Sequence, residues 1–258
     1  MPLPLQHALA RLAADARVHG VLLIGSLTTA YLTAASDYDI VVIADHAPLW
    51  YVGVSRIGGR FADVLFVATH ALDQIRHATA PPAHDDPLAA PWRWLATGTI
   101  VHDPSSRVQQ AQQAAQAHGA QQPPDAAAAY SAWFALNYNL AVVERMVQSP
   151  DAHYQTVATI RMALYGHSDL WYGYFTIRQM PWPGDKSAYS WLHQHDPDYV
   201  AGYLHFIAEP QPAAKLAWYR TLADTAAAPL GGRCPMLWAG ENLRDAPLRV
   251  VDLLGEPT

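Results

Sequence analysis

Leu23–Val42 reads LIGSLTTAYLTAASDYDIVV, and its last six residues pose the problem that decides the fold. Asp37 and Asp39 stand at the head of DYDIVVIAD (37–45), a run whose Ile and Val residues specify a buried strand. Side chains alternate along a strand, so the two acids share a face that Val41 continues, while Tyr38, Ile40 and Val42 line the other. Two adjacent carboxylates repel each other, and burying them without a partner costs several kcal/mol each. A hard divalent cation with oxygen ligands, Mg²⁺ above all, removes that cost.

A third acid lies in RFADVLFVAT (60–69), where Asp63 interrupts another apolar strand. If the two strands pair, Asp63 joins Asp37 and Asp39. Three carboxylates on adjacent strands can hold two Mg²⁺ about 3.5–4 Å apart, an arrangement that serves phosphoryl chemistry. Upstream, Val21–Ile24 is a short apolar run closed by Gly25-Ser26. A strand, a Gly-Ser turn and a short helical turn in TAYLTAAS aim backbone N–H groups at phosphate oxygens. Gly25 allows close approach, and Ser26 adds a hydroxyl. Ser36 reads equally as a turn residue or as a phosphate-facing hydroxyl. Asp63 also reads as a strand acid paired to Arg60 or Arg56.

The chain has 258 residues, 51% hydrophobic and 15% charged, with a formal net charge of −6. That describes a globular protein without the basic footprint of a DNA binder. A cationic small molecule suits an acidic surface better. The single cysteine, Cys234, excludes an internal disulfide and a thiolate metal cluster. The first twenty residues lack a sustained apolar core, and no apolar run reaches the ~20 residues of a membrane span. A cytoplasmic protein without membrane association is expected.

The periodicity predicts helices over 5–17, 70–78, 91–96 and 105–118, with TGTIVHDP (97–104) as a further short strand. HAPLWYVGVSRIGG (46–59) reads as a connection that turns at Gly58-Gly59. HGAQQPP (118–124) marks a boundary, dividing the chain into residues 1–120 and 121–258. Beyond it Asp125 caps a helix reaching Gln148. Further helices are expected over about 152–179, 185–195, 197–208 and 212–227. The fold class is α/β in the α+β sense, a mixed-sheet N-terminal domain followed by an all-helical one.

The segments LLIGS, SDYDIVV and FADVLFV together resemble the signature of the DNA polymerase β-like nucleotidyltransferase superfamily. The resemblance covers roughly residues 18–70. TGTIVHDP is similar to the strand that closes this domain in bacterial enzymes modifying aminoglycosides or lincosamides. The helical half resembles their C-terminal domain more loosely. The resemblance implies transfer of a nucleoside monophosphate from an NTP, ATP by default, to a hydroxyl of a small and cationic acceptor, with release of pyrophosphate. It implies Asp37, Asp39 and Asp63 as catalytic and metal-binding residues for two Mg²⁺. Gly25, Ser26 and Ser36 would meet the nucleotide. Many members carry an arginine in the loop after Gly-Ser, whereas here no Lys or Arg occurs between Arg17 and Arg56. Lys186, in WPGDKSAYSWL (182–192), looks like the lysine that several relatives bring from the helical domain to the triphosphate. Glu144 is the nearest candidate for a separate base.

Two other classes remain open at this point. One is an enzyme acting on tRNA or a protein; the other is a silent scaffold or toxin–antitoxin module. A homodimer is compatible with the sequence. HQHDPD (193–198) reads as a solvated turn between helices, and DLWYGYF (169–175) as helix packing with a smaller claim to be a pocket lining.

Overall fold

The acid-bearing run folds as the middle of a five-stranded mixed sheet. In this computed structural model, residues 4–25, 33, 36–45, 48–83 and 86–233 are described. The chain divides into two compact units, Met1–Gln122 and Pro123–Thr258.

In the first unit the strands are β1 (Val18–Ile24), β2 (Tyr38–Ala44), β3 (Trp50–Ile57), β4 (Arg60–Ala68) and β5 (Thr99–His102). Their order is β3-β4-β2-β1-β5. β2 runs antiparallel to β1 and parallel to β4. The helices are α1 (Leu5–Ala14), α2 (Thr69–His77), α3 (Ala89–Thr97) and α4 (Arg107–His118). β2 is a nearly unbroken apolar run because both of its faces are covered. Ile40 and Val42 pack with Val21, Ala62 and Ala8 of α1 on one face. Val41 and Ile43 pack with Leu65, Leu72, Trp92 and Val108 on the other, beneath α2, α3 and α4. Ile40, Val42 and Ile43 are wholly buried, each contributing about 1.5–3 kcal/mol.

The segment expected to be a plain connection contains an additional strand, β3. It pairs with β4 along its whole length, from Trp50↔Val67 to Ile57↔Arg60. Gly58 and Gly59 close this hairpin with φ of 60° and 82°, the doubly positive geometry of a two-residue hairpin loop. β3 lies at the sheet edge, with Tyr51, Val52 and Val54 exposed. It therefore lacks the alternation that announces a half-buried strand.

The second unit is helical: α5 (Ala126–Val147), α6 (Ala152–Tyr165), α7 (Gly173–Ile177), α8 (Asp185–His195), α9 (Pro197–Ala208) and α10 (Pro212–Ala227). Asp125 caps α5 by accepting the Ala128 N–H at 2.8 Å. The helix expected over 152–179 is a run in three parts, since a π-helical segment, Gly166–Tyr172, joins α6 to α7. The aromatic stretch 169–175 is mainly core, with Leu170, Trp171, Tyr174 and Phe175 buried. Trp171 stacks on Tyr203 with ring centroids 4.6 Å apart. Among the described residues no helix is long and apolar enough to cross a membrane.

Candidate active site

Strand register brings the acids together. Asp39 on β2 pairs with Ile24 on β1 and with Asp63 on β4. The parallel β2–β4 ladder puts positions 39 and 63 side by side, and each extends a row of buried apolar residues on the α2–α4 face, Val41 and Ile43 on β2 and Leu65 and Val67 on β4. Asp37 lies just before β2. One carboxylate oxygen from each of Asp37, Asp39 and Asp63 falls within 4.8 Å of the others, and all three residues are half-buried.

Gly25 ends β1 against this cluster. Its φ is +64°, and a Cβ at this position would lie 2.5 Å from Asp39 Oδ2. The Asp39 carboxylate thus occupies the space that any other residue at 25 would fill. Glycine serves here both for the left-handed backbone and for the close approach.

The donor set fits a hard cation. Three carboxylates offer only oxygen, the ligand type Mg²⁺ and Mn²⁺ prefer. Oxygens on opposite sides of one Mg²⁺ are about 4 Å apart, so small side-chain rotations close the observed spread. The cluster could bind a divalent ion and so offset its own repulsion.

Arg60 and Arg56 do not turn to Asp63. Arg56 Nη1 donates to the Gly59 carbonyl at 3.2 Å. Arg60 Nη1 donates to the carbonyls of Thr33 at 2.5 Å and Ser36 at 2.6 Å. Its guanidinium also lies 5.0 Å from the centroid of the Tyr38 ring. Period two anticipates this for Arg60, since positions 60 and 63 are three apart and face opposite sides of the sheet.

Ser36 is buried at 7% exposure. Its hydroxyl accepts the Thr33 N–H at 3.0 Å and lies 3.3 Å from Thr33 Oγ1. Ser26 and most of TAYLTAAS fall outside the described residues, as does Cys234. Lys186 is exposed in the first turn of α8, in the second unit, after Gly184 with φ +87°. Glu144 accepts a 2.6 Å hydrogen bond from Arg220 Nε. Arg178, another cation of that unit, donates to the carbonyls of Tyr174, Thr225 and Ala226.

Sequence reasoning did not single out Asp169, in the π-helical segment. It is 6% exposed and accepts hydrogen bonds from Asn139 Nδ2 and Ser168 Oγ, each at 2.8 Å, and from the Tyr219 hydroxyl at 3.0 Å. Burial pushes its pKa up, against the pull of these donors. No motif marks it, because two of its three partners, Asn139 and Tyr219, come from distant helices.

No family model matches the chain. No curated protein matches it. One solved structure that does is a nucleotidyltransferase-like protein from Exiguobacterium sibiricum 255-15. The two chains are 13% identical, aligned over 87% of this chain and 76% of that one, with a TM-score of 0.37.

Proposed function

We propose that the chain is a metal-dependent nucleotidyltransferase. It moves a nucleoside monophosphate from an NTP, ATP by default, to a hydroxyl of a small molecule such as an aminoglycoside-like antibiotic. The observation that carries this reading is the convergence of Asp37, Asp39 and Asp63 beside the left-handed Gly25.

In this reading Asp37, Asp39 and Asp63 hold Mg²⁺, two ions in the full assembly. Bound Mg²⁺ would acidify the acceptor hydroxyl and stabilise charge on the departing pyrophosphate. Asp63 accepts the hydroxyl proton. The acceptor oxygen bonds to the α-phosphorus as the bond from that phosphorus to the pyrophosphate oxygen breaks. Gly25, Ser26, Ser36 and Lys186 contribute to the nucleotide site. The first unit supplies the catalytic carboxylates.

The test is a screen for pyrophosphate release, pairing each NTP and Mg²⁺ with aminoglycosides, lincosamides and other hydroxylated metabolites. Release that requires both metal and acceptor, and that Asp37→Asn abolishes, is expected. Full activity in Asp37→Asn would refute the metal role. No release from any pair, together with no thermal stabilisation by NTP and Mg²⁺, would favour a silent binding module.

A further inference from the structure

We propose that Arg60 is a positioning residue for the carboxylate cluster, clamping the backbone that delivers Asp37 to the strand carrying Asp63. The inference rests on the metal-binding reading above. Asp39 and Asp63 are held by the sheet, since each is a rung of the β2–β4 ladder. Asp37 precedes the first rung of that ladder, Tyr38↔Ala62. Yet Asp37 must be held within 4.8 Å of two like charges. Its position therefore depends on how the backbone leading into β2 is held.

Arg60 is placed to do so. Two hydrogen bonds from Nη1 reach the carbonyls of Thr33 and Ser36. The Ser36 carbonyl belongs to the peptide unit that ends at Asp37, and that unit is planar. Holding its oxygen therefore fixes the direction in which the Asp37 backbone departs. The Ser36 N–H donates to the Thr33 carbonyl at 3.1 Å, so the two residues that the clamp grips are also joined to each other. The Tyr38 ring supports the guanidinium from the neighbouring strand. Arg60 itself is set by the Gly58-Gly59 hairpin, which pairs it with Ile57 at the start of β4. One strand thus carries both a carboxylate and the clamp for another.

Face matters as much as reach. Arg60, Ala62 and Val64 alternate with Asp63, so the guanidinium works from the side of the sheet opposite the carboxylates. There it steers Asp37 without pairing with the cluster and displacing a metal.

The sign of the effect separates this role from simple electrostatics. Removing a nearby positive charge should strengthen cation binding. Loss of a positioning contact should weaken it, by about 10- to 100-fold where a metal ligand loses its orienting partner. The experiment is Mn²⁺ titration of the full chain, followed by electron paramagnetic resonance at constant ionic strength without nucleotide. Arg60→Met, which keeps the apolar stem, is expected to weaken Mn²⁺ binding at least tenfold in the wild-type background. In the Asp37→Asn background it should add nothing. Arg60→Lys keeps the charge but lacks the planar fork, and should bind Mn²⁺ severalfold more weakly than wild type. It carries the test if the Met variant fails to fold. Unchanged or tighter binding in either folded variant, or an equal loss with and without Asp37, would overturn the proposal. If Asp39→Asn loses Mn²⁺ while the Arg60 variants keep it, only the Arg60 role falls. A wild-type chain that binds no Mn²⁺ removes the metal reading and this inference together.

Discussion

Neutralising Asp39 should make the metal-free protein more stable while removing its response to Mg²⁺. Asp39 sits between Ile24 and Asp63 in the sheet, with Asp37 and Asp63 carboxylate oxygens within 4.8 Å. Two unit charges at that separation repel by about 3.5 kcal/mol at an effective dielectric constant of about 20. These groups are half-exposed, and salt and water screen them to roughly 1 kcal/mol per pair. Asp39→Asn relieves two such pairs, a gain of about 2 kcal/mol before any hydrogen-bond mismatch. For a unit of 122 residues that corresponds to a rise in melting temperature of about 5 °C or more. The assay is thermal unfolding with and without MgCl₂, ionic strength being balanced with NaCl. Wild type should gain stability with Mg²⁺, by about 2.7 kcal/mol at a hundred times Kd, while the variant stays flat. A metal-free variant that melts lower than wild type, with its Mg²⁺ response intact, would refute the reasoning.

Gly25→Ala should weaken Mn²⁺ binding and lower the melting temperature, since the added Cβ meets Asp39 Oδ2 and the left-handed backbone costs about 1–2 kcal/mol; titration and thermal unfolding check both. Lys186→Ala should weaken NTP binding and leave acceptor binding unchanged, as measured by calorimetry; unaltered nucleotide affinity removes Lys186 from the site. Lys215 Nζ donates to the carbonyls of Phe206, Ile207 and Glu209, so Lys215→Met should lower unfolding stability in urea by about 2–4 kcal/mol. Asp169 has a raised native pKa, so its contribution favours the fold most below the unfolded value near 3.8 and is lost as pH rises through the native pKa. Asp169→Asn stays neutral, and its urea midpoint should move in its favour relative to wild type as pH rises from below 4 to neutrality. A gap that does not change with pH contradicts the linkage.

The sheet centre was legible because β2 carries four consecutive β-branched residues, Ile40–Ile43, and β4 an apolar run, Val64–Ala68, and an acid beside such a run demands an explanation. Period two alone put Asp37 and Asp39 on one face, and Val41 on the same face with them. The pairing of Asp39 with Asp63 needed the parallel register, which no local pattern encodes. β3 was hidden for a physical reason: an edge strand with exposed Tyr51, Val52 and Val54 carries no alternation. The helices of the second unit were legible from their apolar spacing and from caps such as Asp125. The π-helical segment was not, because its turn is held by tertiary contacts such as Tyr199 donating to the Leu170 carbonyl. Pairing of Asp63 with Arg60 stood as an alternative to its metal role, although a separation of three along a strand already sets the two on opposite faces.

Anomalous scattering from crystals soaked in Mn²⁺ tests the central claim most directly. The account predicts a peak bridged by the carboxylates of Asp37, Asp39 and Asp63, and lost in Asp39→Asn crystals. A map with no peak there, or a peak that persists unchanged when Asp39 is replaced, would contradict it.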